Sequence, residues 1–292
     1  MKPLFVLLFI SFLTGTTTAQ TPPPPDTTGY AYLRIMIRDE TLLLKFDSGN
    51  ISHYLARGYY RMQMQDYAAS IDDNTQAILL DPKNGDAYSN RGMARCFMKK
   101  YDEAKSDLTK AIRLDPTDPM GYLNRAYAET ESGDDHKGIA DLDTAIRLKP
   151  DYAKAYCNRG MAKRRFRQFK AAIQDFSQAV RYYPAYTEAY YNRARTYADL
   201  NDLNAATADY DKAIGLNPDF PYPYTGRALL KETLKDDTGA LEDLNKSIGI
   251  DPNNAEVYRI RARIEEKLQN AAAAKADIET ATRLEQGETK DH

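Results

Sequence analysis

The sequence predicts an all-α chain folded as a right-handed superhelical solenoid of helix-turn-helix repeats, and three observations lead to this fold class. The same pattern occurs seven times in succession from residue 51, with a 34-residue period. Each unit has small residues at three fixed places, and a proline ends each of the first six units. Because one such unit is too small to bury its own apolar face, consecutive units must stack, and fourteen helices are expected. The units are 51–84, 85–118, 119–152, 153–186, 187–220, 221–254 and 255–288.

Residues 1–19 have the composition of a secretory signal peptide. Lys2 precedes an apolar run from Leu4 to Leu13, and the small or polar residues Thr14–Ala19 follow. The run is too short to cross about 30 Å of hydrocarbon, which argues against the alternative of a membrane anchor. We therefore expect cleavage after Ala19, an exported protein that is periplasmic or secreted, and no membrane span in the mature chain.

Two segments connect this leader to the repeats. Residues 20–29 include four consecutive prolines and are expected to form a stiff, extended linker. Residues 30–50 form a lead-in segment that we expect to cover the first repeat. Its apolar pattern fits either a hairpin, through the alternation of Leu33, Ile35 and Ile37, or a short helix, through Leu33, Met36 and Ile37. At the other end, residues 289–292 are a short tail.

A tyrosine marks the first helix of every unit. The tyrosines are Tyr54, Tyr88, Tyr122, Tyr156, Tyr190, Tyr224 and Tyr258. The small residues allow the two helices of a unit to approach closely, and one apolar side chain in the second helix fills the space around their contact. From the second unit onward that side chain is Leu108, Leu142, Phe176, Tyr210, Leu244 and Ile278. The proline then ends the second helix.

An arginine and an aspartate occur at one constant spacing in all seven units. The pairs are Arg57–Asp73, Arg91–Asp107, Arg125–Asp141, Arg159–Asp175, Arg193–Asp209, Arg227–Asp243 and Arg261–Asp277. This pattern predicts an ion-pair ladder between the first and second helix of each unit. A solvated pair contributes only about 0–1 kcal/mol, whereas removing one partner of a half-buried pair costs about 3–5 kcal/mol. We interpret the ladder as structural rather than as a ligand site.

The repeated segment at 88–92, Tyr-Ser-Asn-Arg-Gly, which returns at 156–160 as Tyr-Cys-Asn-Arg-Gly, resembles the first helix of the tetratricopeptide repeat (TPR) family. Tyrosine replaces the tryptophan of the family pattern, and arginine replaces a leucine. The resemblance covers residues 51–288. It implies that the first helices line a concave groove, that the second helices lie outside, and that the partner is a protein or a peptide.

Four consecutive units carry an asparagine one position before the ladder arginine: Asn90, Asn124, Asn158 and Asn192. An amide side chain donates and accepts hydrogen bonds, so a row of them can hold the backbone of an extended peptide. The alternative is that each asparagine bonds a neighbouring helix and sets the pitch of the superhelix. We favour ligand contact.

Further side chains are expected to face or border the groove. Adaptable contacts would come from Tyr59, Met93, Tyr127 and Met161, with Arg195 beside them. Lys154, Arg164 and Arg165 are candidates for an anion-binding patch. The alternative for this basic cluster is a solvated turn at the end of a first helix, where cations suit the helix dipole.

Several function classes are disfavoured by composition and motifs. The formal net charge of −2 does not favour binding to nucleic acid. The sequence has no dinucleotide, P-loop or zinc-protease motif, and its three histidines lie far apart, so we expect no catalytic residue, no metal site and no cofactor. Cys96 and Cys157 are two units apart, so two free thiols are expected.

These observations predict a non-catalytic scaffold or adaptor that binds an extended peptide or protein segment in the concave groove. The alternative is a structural envelope scaffold that self-associates or docks a folded partner through its outer faces.

Overall fold

The computed structural model describes residues 30–287, which fold into fifteen α-helices in tandem. The proposed signal peptide, the proline-rich linker and the tail at 289–292 lie outside these residues. Within them, no helix is both long enough and apolar enough to cross a bilayer. The helices are α1 (Ala31–Phe46), α2 (Ile51–Gln63), α3 (Tyr67–Leu80), α4 (Gly85–Phe97), α5 (Tyr101–Leu114), α6 (Pro119–Glu131), α7 (Asp135–Leu148), α8 (Ala153–Arg165), α9 (Phe169–Tyr182), α10 (Thr187–Asp199), α11 (Leu203–Leu216), α12 (Pro221–Thr233), α13 (Asp237–Ile250), α14 (Ala255–Lys267) and α15 (Ala271–Glu285).

Each helix packs mainly against the helices before and after it in the chain, which makes an elongated solenoid rather than a single central core. The first helices of successive units also touch one another, as α4 touches α6, and they therefore share one face of the stack. Capping side chains help to set where the helices begin: Asn84 accepts a hydrogen bond from the Ala87 amide, and Asp118 accepts from Met120 and Gly121.

The turn inside each unit uses a residue in the left-handed region, two positions after the first helix ends. Only one of these residues is a glycine, Gly133 with φ of 94°; its equivalents include Lys99 at 60° and Arg167 at 59°. A left-handed residue here lets the following amides bond the last carbonyls of the helix. Lys100, for example, donates its backbone N–H to the Arg95 carbonyl at 2.9 Å.

Small residues permit the close approach of the two helices in a unit. A Cβ atom added at Gly92 would lie 2.8 Å from Leu108 Cγ, and one added at Gly160 would lie 2.8 Å from the ring of Phe176. Leu108, Leu142, Phe176 and Leu244 are fully buried at this contact. The equivalent Ile278 does not fill such a space and is 40% exposed, because no described helix follows α15 to cover it.

The lead-in segment is a helix, so the hairpin alternative for residues 30–50 is wrong. Helix α1 covers the first unit by packing on α2, where the His53 ring nitrogen Nδ1 lies 2.7 Å from Glu40 Oε2. The residues of α1 that face α2 recur at helical spacing, and Leu44 among them is buried. The apolar residues of this segment therefore follow a helical period and not the two-residue alternation of a strand. The described chain thus has one helix more than the fourteen predicted.

Both cysteines are free and buried, in separate parts of the solenoid. Cys96 packs with Met62, Met93 and Leu108. Burial raises the pKa of each thiol to about 12, so both side chains are protonated at neutral pH and act as small apolar residues.

Candidate functional site

The Arg–Asp ladder is present in all seven units, as predicted. In each unit the guanidinium donates to both oxygens of its aspartate; Arg193 Nε and Nη2, for example, lie 2.7 and 2.8 Å from Asp209 Oδ2 and Oδ1. The aspartates are buried, with Asp73 only 1% exposed. The seven bonded pairs are Arg57–Asp73, Arg91–Asp107, Arg125–Asp141, Arg159–Asp175, Arg193–Asp209, Arg227–Asp243 and Arg261–Asp277.

The third arm of each of these arginines reaches the helix that precedes its unit, a contact that the sequence did not reveal. Arg91 Nη1 donates to Thr75 at 3.2 Å, and Arg159 Nη1 donates to Asp143 at 2.6 Å. The corresponding acceptors are Thr41, Thr75, Thr109, Asp143, Ser177, Asp211 and Asn245. Each arginine therefore joins three helices, and the ladder connects units as well as the helices within them.

A recess lies among the first helices α4, α6 and α8, and several residues from the predicted groove meet there. Its apolar lining is formed by Met93, Phe97, Leu123, Tyr127, Met161 and Tyr186. Asn124, Asn158 and Lys154 contribute polar groups, and Thr130, Glu131 and Arg165 lie at the same recess. An apolar recess with a few polar groups is the usual form of a binding site.

Lys154 is the cation of the recess whose ammonium forms no hydrogen bond or ion pair among residues 30–287. Desolvation lowers the pKa of Lys154, an effect opposed by the charge of Glu188. A half-buried ammonium without a partner is costly, and an incoming carboxylate would relieve that cost.

The four asparagines occupy different environments. Asn158 lines the recess, is partly exposed, and makes no hydrogen bond through its side chain within the described chain. Asn124 also lines it but is buried, and it donates to Ser89 Oγ of the neighbouring first helix at 3.1 Å. Asn192 is buried and donates to the Glu188 carbonyl of its own helix at 2.8 Å. Asn90 is partly exposed and lies outside the recess.

The basic cluster is not a patch of free cations. Arg164 donates to Asp199 at 2.7 Å, and Arg165 donates to Asp135 at 2.9 Å and to the Thr130 carbonyl at 3.1 Å. These acidic partners lie about one period away in the sequence. The stacking of units brings them next to Arg164 and Arg165 and neutralises charges that look unpaired in the sequence. Of the three residues expected to form the anion patch, only Lys154 has no ion-pair partner within residues 30–287.

Two other groove candidates lie away from the recess. Tyr59 packs against the cluster around Met62, edge-on to Tyr60. Arg195 places its guanidinium 5.4 Å from the centre of the Tyr191 ring, in a cation–π contact further along the solenoid.

Sequence reasoning missed four residues of the recess: Thr130, Glu131, Ala162 and Tyr186. Glu131 shares a column with Phe97 and Arg165, four positions after the column of Met93, Tyr127 and Met161, and one helical turn therefore places the two columns on the same face. The column of Met93 could therefore have been used to predict that Glu131 lies at the recess. Tyr186 comes from the loop before α10, and only the tertiary structure brings it to the recess.

Family models for the tetratricopeptide repeat match residues 85–118, 153–186 and 187–220. No protein with a curated function matches the sequence.

Several solved structures are similar to this chain. A chain of the APC/C hetero-tetramer Cut9–Hcn1 is 18% identical with a TM-score of 0.71, covering 80% of this chain and 46% of that one. A tetratricopeptide repeat protein from Parabacteroides merdae is 20% identical with a TM-score of 0.63, covering 82% and 94%. PilF from Pseudomonas aeruginosa is 18% identical with a TM-score of 0.62, covering 70% and 93%.

At such identities the likeness shows the fold alone, and this chain spans less than half of the Cut9–Hcn1 chain. The fold agrees with the family models, with the pairs of helices and with the regular period of the sequence. Three of the seven units are therefore matched as tetratricopeptide repeats, and the described chain has the fold of tetratricopeptide repeat proteins, whose repeats form scaffolds for protein interactions.

Proposed function

We propose that this protein is a non-catalytic adaptor that binds an extended peptide segment in the recess of α4, α6 and α8. The observation that carries the proposal is the pair formed by Lys154 and Asn158, two polar side chains without partners among residues 30–287, in a recess that is otherwise largely apolar. Both side chains are partly exposed at a concave surface, where a ligand can replace the water that solvates them.

The chemistry of the lining describes the ligand. Met93, Tyr127 and Met161 would contact an apolar side chain, since thioethers and aromatic rings adapt to ligands of varied shape. The Asn158 amide can pair with a peptide group, and the Lys154 ammonium with a carboxylate. The proposed ligand is therefore a peptide with an apolar residue next to an acidic group, either a side chain or the chain end.

Substitutions at Asn158 and Lys154 are expected to weaken such a peptide without destabilising the solenoid. Lys154→Gln should raise the dissociation constant by about tenfold or more, because a hydrogen bond to a charged group contributes about 1.5–3 kcal/mol. Asn158→Ala should raise it by about threefold to tenfold, because a bond between neutral amides contributes about 0.5–1.5 kcal/mol. The measurement is fluorescence polarisation with acidic, apolar peptides selected from a displayed library. Lys212→Gln, at an exposed lysine of α11, is the matched control and should bind as the parent does.

Asn192→Ala separates the binding role from a structural one, since its amide is already bonded to Glu188. This variant should melt at a lower temperature and keep its affinity for peptide. Unchanged affinity in both the Asn158 and Lys154 variants would contradict the recess as the site. It would favour the alternative of a scaffold that docks a folded partner through its outer faces.

We also propose that the protein is exported, to the periplasm or outside the cell, on the composition of residues 1–19. The expected result is a mature chain that begins at Gln20. Intact-mass measurement of protein from the envelope fraction tests this, and a full-length chain retained in the cytoplasm would contradict it.

A further inference from the structure

Helix α1 occupies the place of a second helix in a unit that has no first helix among the described residues. Thr41 of α1 accepts a hydrogen bond from Arg57 Nη1 at 3.1 Å, just as Thr75 of α3 accepts one from Arg91 Nη1 at 3.2 Å. Thr41 and Thr75 are one repeat period apart, and α1 and α3 end one period apart as well, at Phe46 and Leu80. Among the described residues, the solenoid therefore begins with half a repeat.

The ladder continues into α1 but lacks its arginine. Asp39 lies one period before Asp73, and Pro23 stands one period before Arg57. The Asp39 side chain is 48% exposed, whereas that of Asp73 is 2% exposed. Its bonding partner within residues 30–287 is the adjacent Arg38, at 3.0 Å. A carboxylate that other units cover with a helix is thus open at this end.

An apolar face surrounds Asp39 on the same side of α1. Tyr32 is 46% exposed, Leu43 45% and Phe46 89%. Together with Asp39 they recur at intervals of three, four or seven positions and form one stripe along the helix. We call this stripe the α1 face: Tyr32, Met36, Asp39, Leu43 and Phe46. In the inner helix α3 the equivalents of Met36, Asp39 and Leu43 are buried, whereas Asp66 and Leu80, the equivalents of Tyr32 and Phe46, are exposed as well. Within the part of the chain that the structure describes, α1 therefore differs from α3 in the exposure of the middle of this face, at Asp39 and Leu43.

The α1 face differs from the buried faces that receive a first helix. Ser70 and Ala77, which are 0% exposed in α3, are replaced one period earlier by Met36 and Leu43. Small residues are what permits the close approach inside a unit, and the larger side chains exclude it. A helix packed here must lie further away and interdigitate its own large side chains.

We propose that the α1 face pairs with the α1 face of a second copy of this chain, in antiparallel orientation. Arg38 and Asp39 stand on either side of the midpoint of the 16-residue helix. Arg38 itself flanks the α1 face, but its guanidinium folds over to Asp39 of the same helix. In an antiparallel pair centred on the midpoint, this guanidinium is therefore within reach of the Asp39 carboxylate of the other copy. The second copy supplies both the apolar cover and the cation that the half repeat lacks. Two helices about 24 Å long give a small interface, so the dimer is weak and depends on concentration.

Sedimentation equilibrium of the protein as the cell produces it tests the proposal. Leu43→Glu combined with Phe46→Glu should raise the dimer dissociation constant by about a hundredfold, because two apolar side chains lose their burial. The matched control is Leu79→Glu, at a leucine of α3 that is 68% exposed and outside the α1 face. This variant should dimerise as the parent does.

A charge exchange tests the orientation. Arg38→Asp alone leaves two acidic residues at the helix centre, and Asp39→Arg alone leaves two basic ones, so each variant should be a monomer. An equimolar mixture of the two variants should form a heterodimer, since the two helix centres then carry opposite charge.

A parent protein that stays monomeric at submillimolar concentration overturns the proposal. A Leu43/Phe46 variant that dimerises as the parent does also overturns it. Dimerisation that appears only when residues 1–29 are removed overturns it too, because it would indicate that this segment covers the α1 face. Peptide affinity in the recess is measured separately and does not depend on any of these outcomes.

Discussion

Arg193→Ala is expected to lower the free energy of unfolding by about 3–5 kcal/mol, the cost of leaving a buried carboxylate without its partner. Asp209 is 6% exposed, and Arg193 is its bonding partner in the described chain. The substitution also removes the bond from Nη1 to Ser177 at 3.1 Å, which joins this unit to the previous one. Urea unfolding followed by circular dichroism measures the change.

The effect should be graded along the ladder. Asp175 pairs with Lys163 at 2.7 Å as well as with Arg159, so Arg159→Ala leaves one cation in place and should destabilise the protein less than Arg193→Ala. Lys154→Ala removes no ion pair and serves as the control. Equal melting temperatures for the Arg159 and Lys154 variants would contradict a stabilising ladder.

Gly226→Asn is expected to destabilise the protein by about 3 kcal/mol through overpacking. Gly226 continues the column of Asn90, Asn124, Asn158 and Asn192, and a Cβ atom added there would lie 2.4 Å from Tyr210 Cζ and 2.5 Å from its hydroxyl. The asparagine row therefore stops where a tyrosine replaces the leucine or phenylalanine of the earlier units. Thermal melting of the single variant measures the loss.

A second substitution should recover much of it. Tyr210→Leu removes the ring tip that occupies the space, so Tyr210→Leu with Gly226→Asn should melt above Gly226→Asn alone. A double-mutant cycle gives the coupling between the two positions. Additive effects of the two substitutions on stability would contradict the view that contact with Tyr210 excludes an asparagine from position 226.

The repeat period determined most of the fold from the sequence. Seven copies of one pattern average out the ambiguity of any single helix, and the ladder pairs could be read because Arg57 and Asp73 keep their spacing in every copy. The lead-in lacks the tyrosine, the arginine and the small residues that mark the other units, so its relation to α3 was not recognised, and its alternation suggested a hairpin. Its phase with α3 became visible only when Arg57 was found to bond Thr41.

The sequence by itself therefore determined the helical class, the repeat and the ladder, and the family resemblance implied the face on which the first helices meet. The tertiary structure decided which polar groups are free. In the sequence, Arg164 and Arg165 resemble an anion site. In the structure, Asp199 and Asp135 from neighbouring units form ion pairs with them. Asn158 and Asn192 have the same place in the pattern, but of these two only Asn158 faces the recess without a partner in the described chain. The physical reason is that local pattern governs helix formation, whereas the satisfaction of a charge or an amide depends on neighbours one or more periods away.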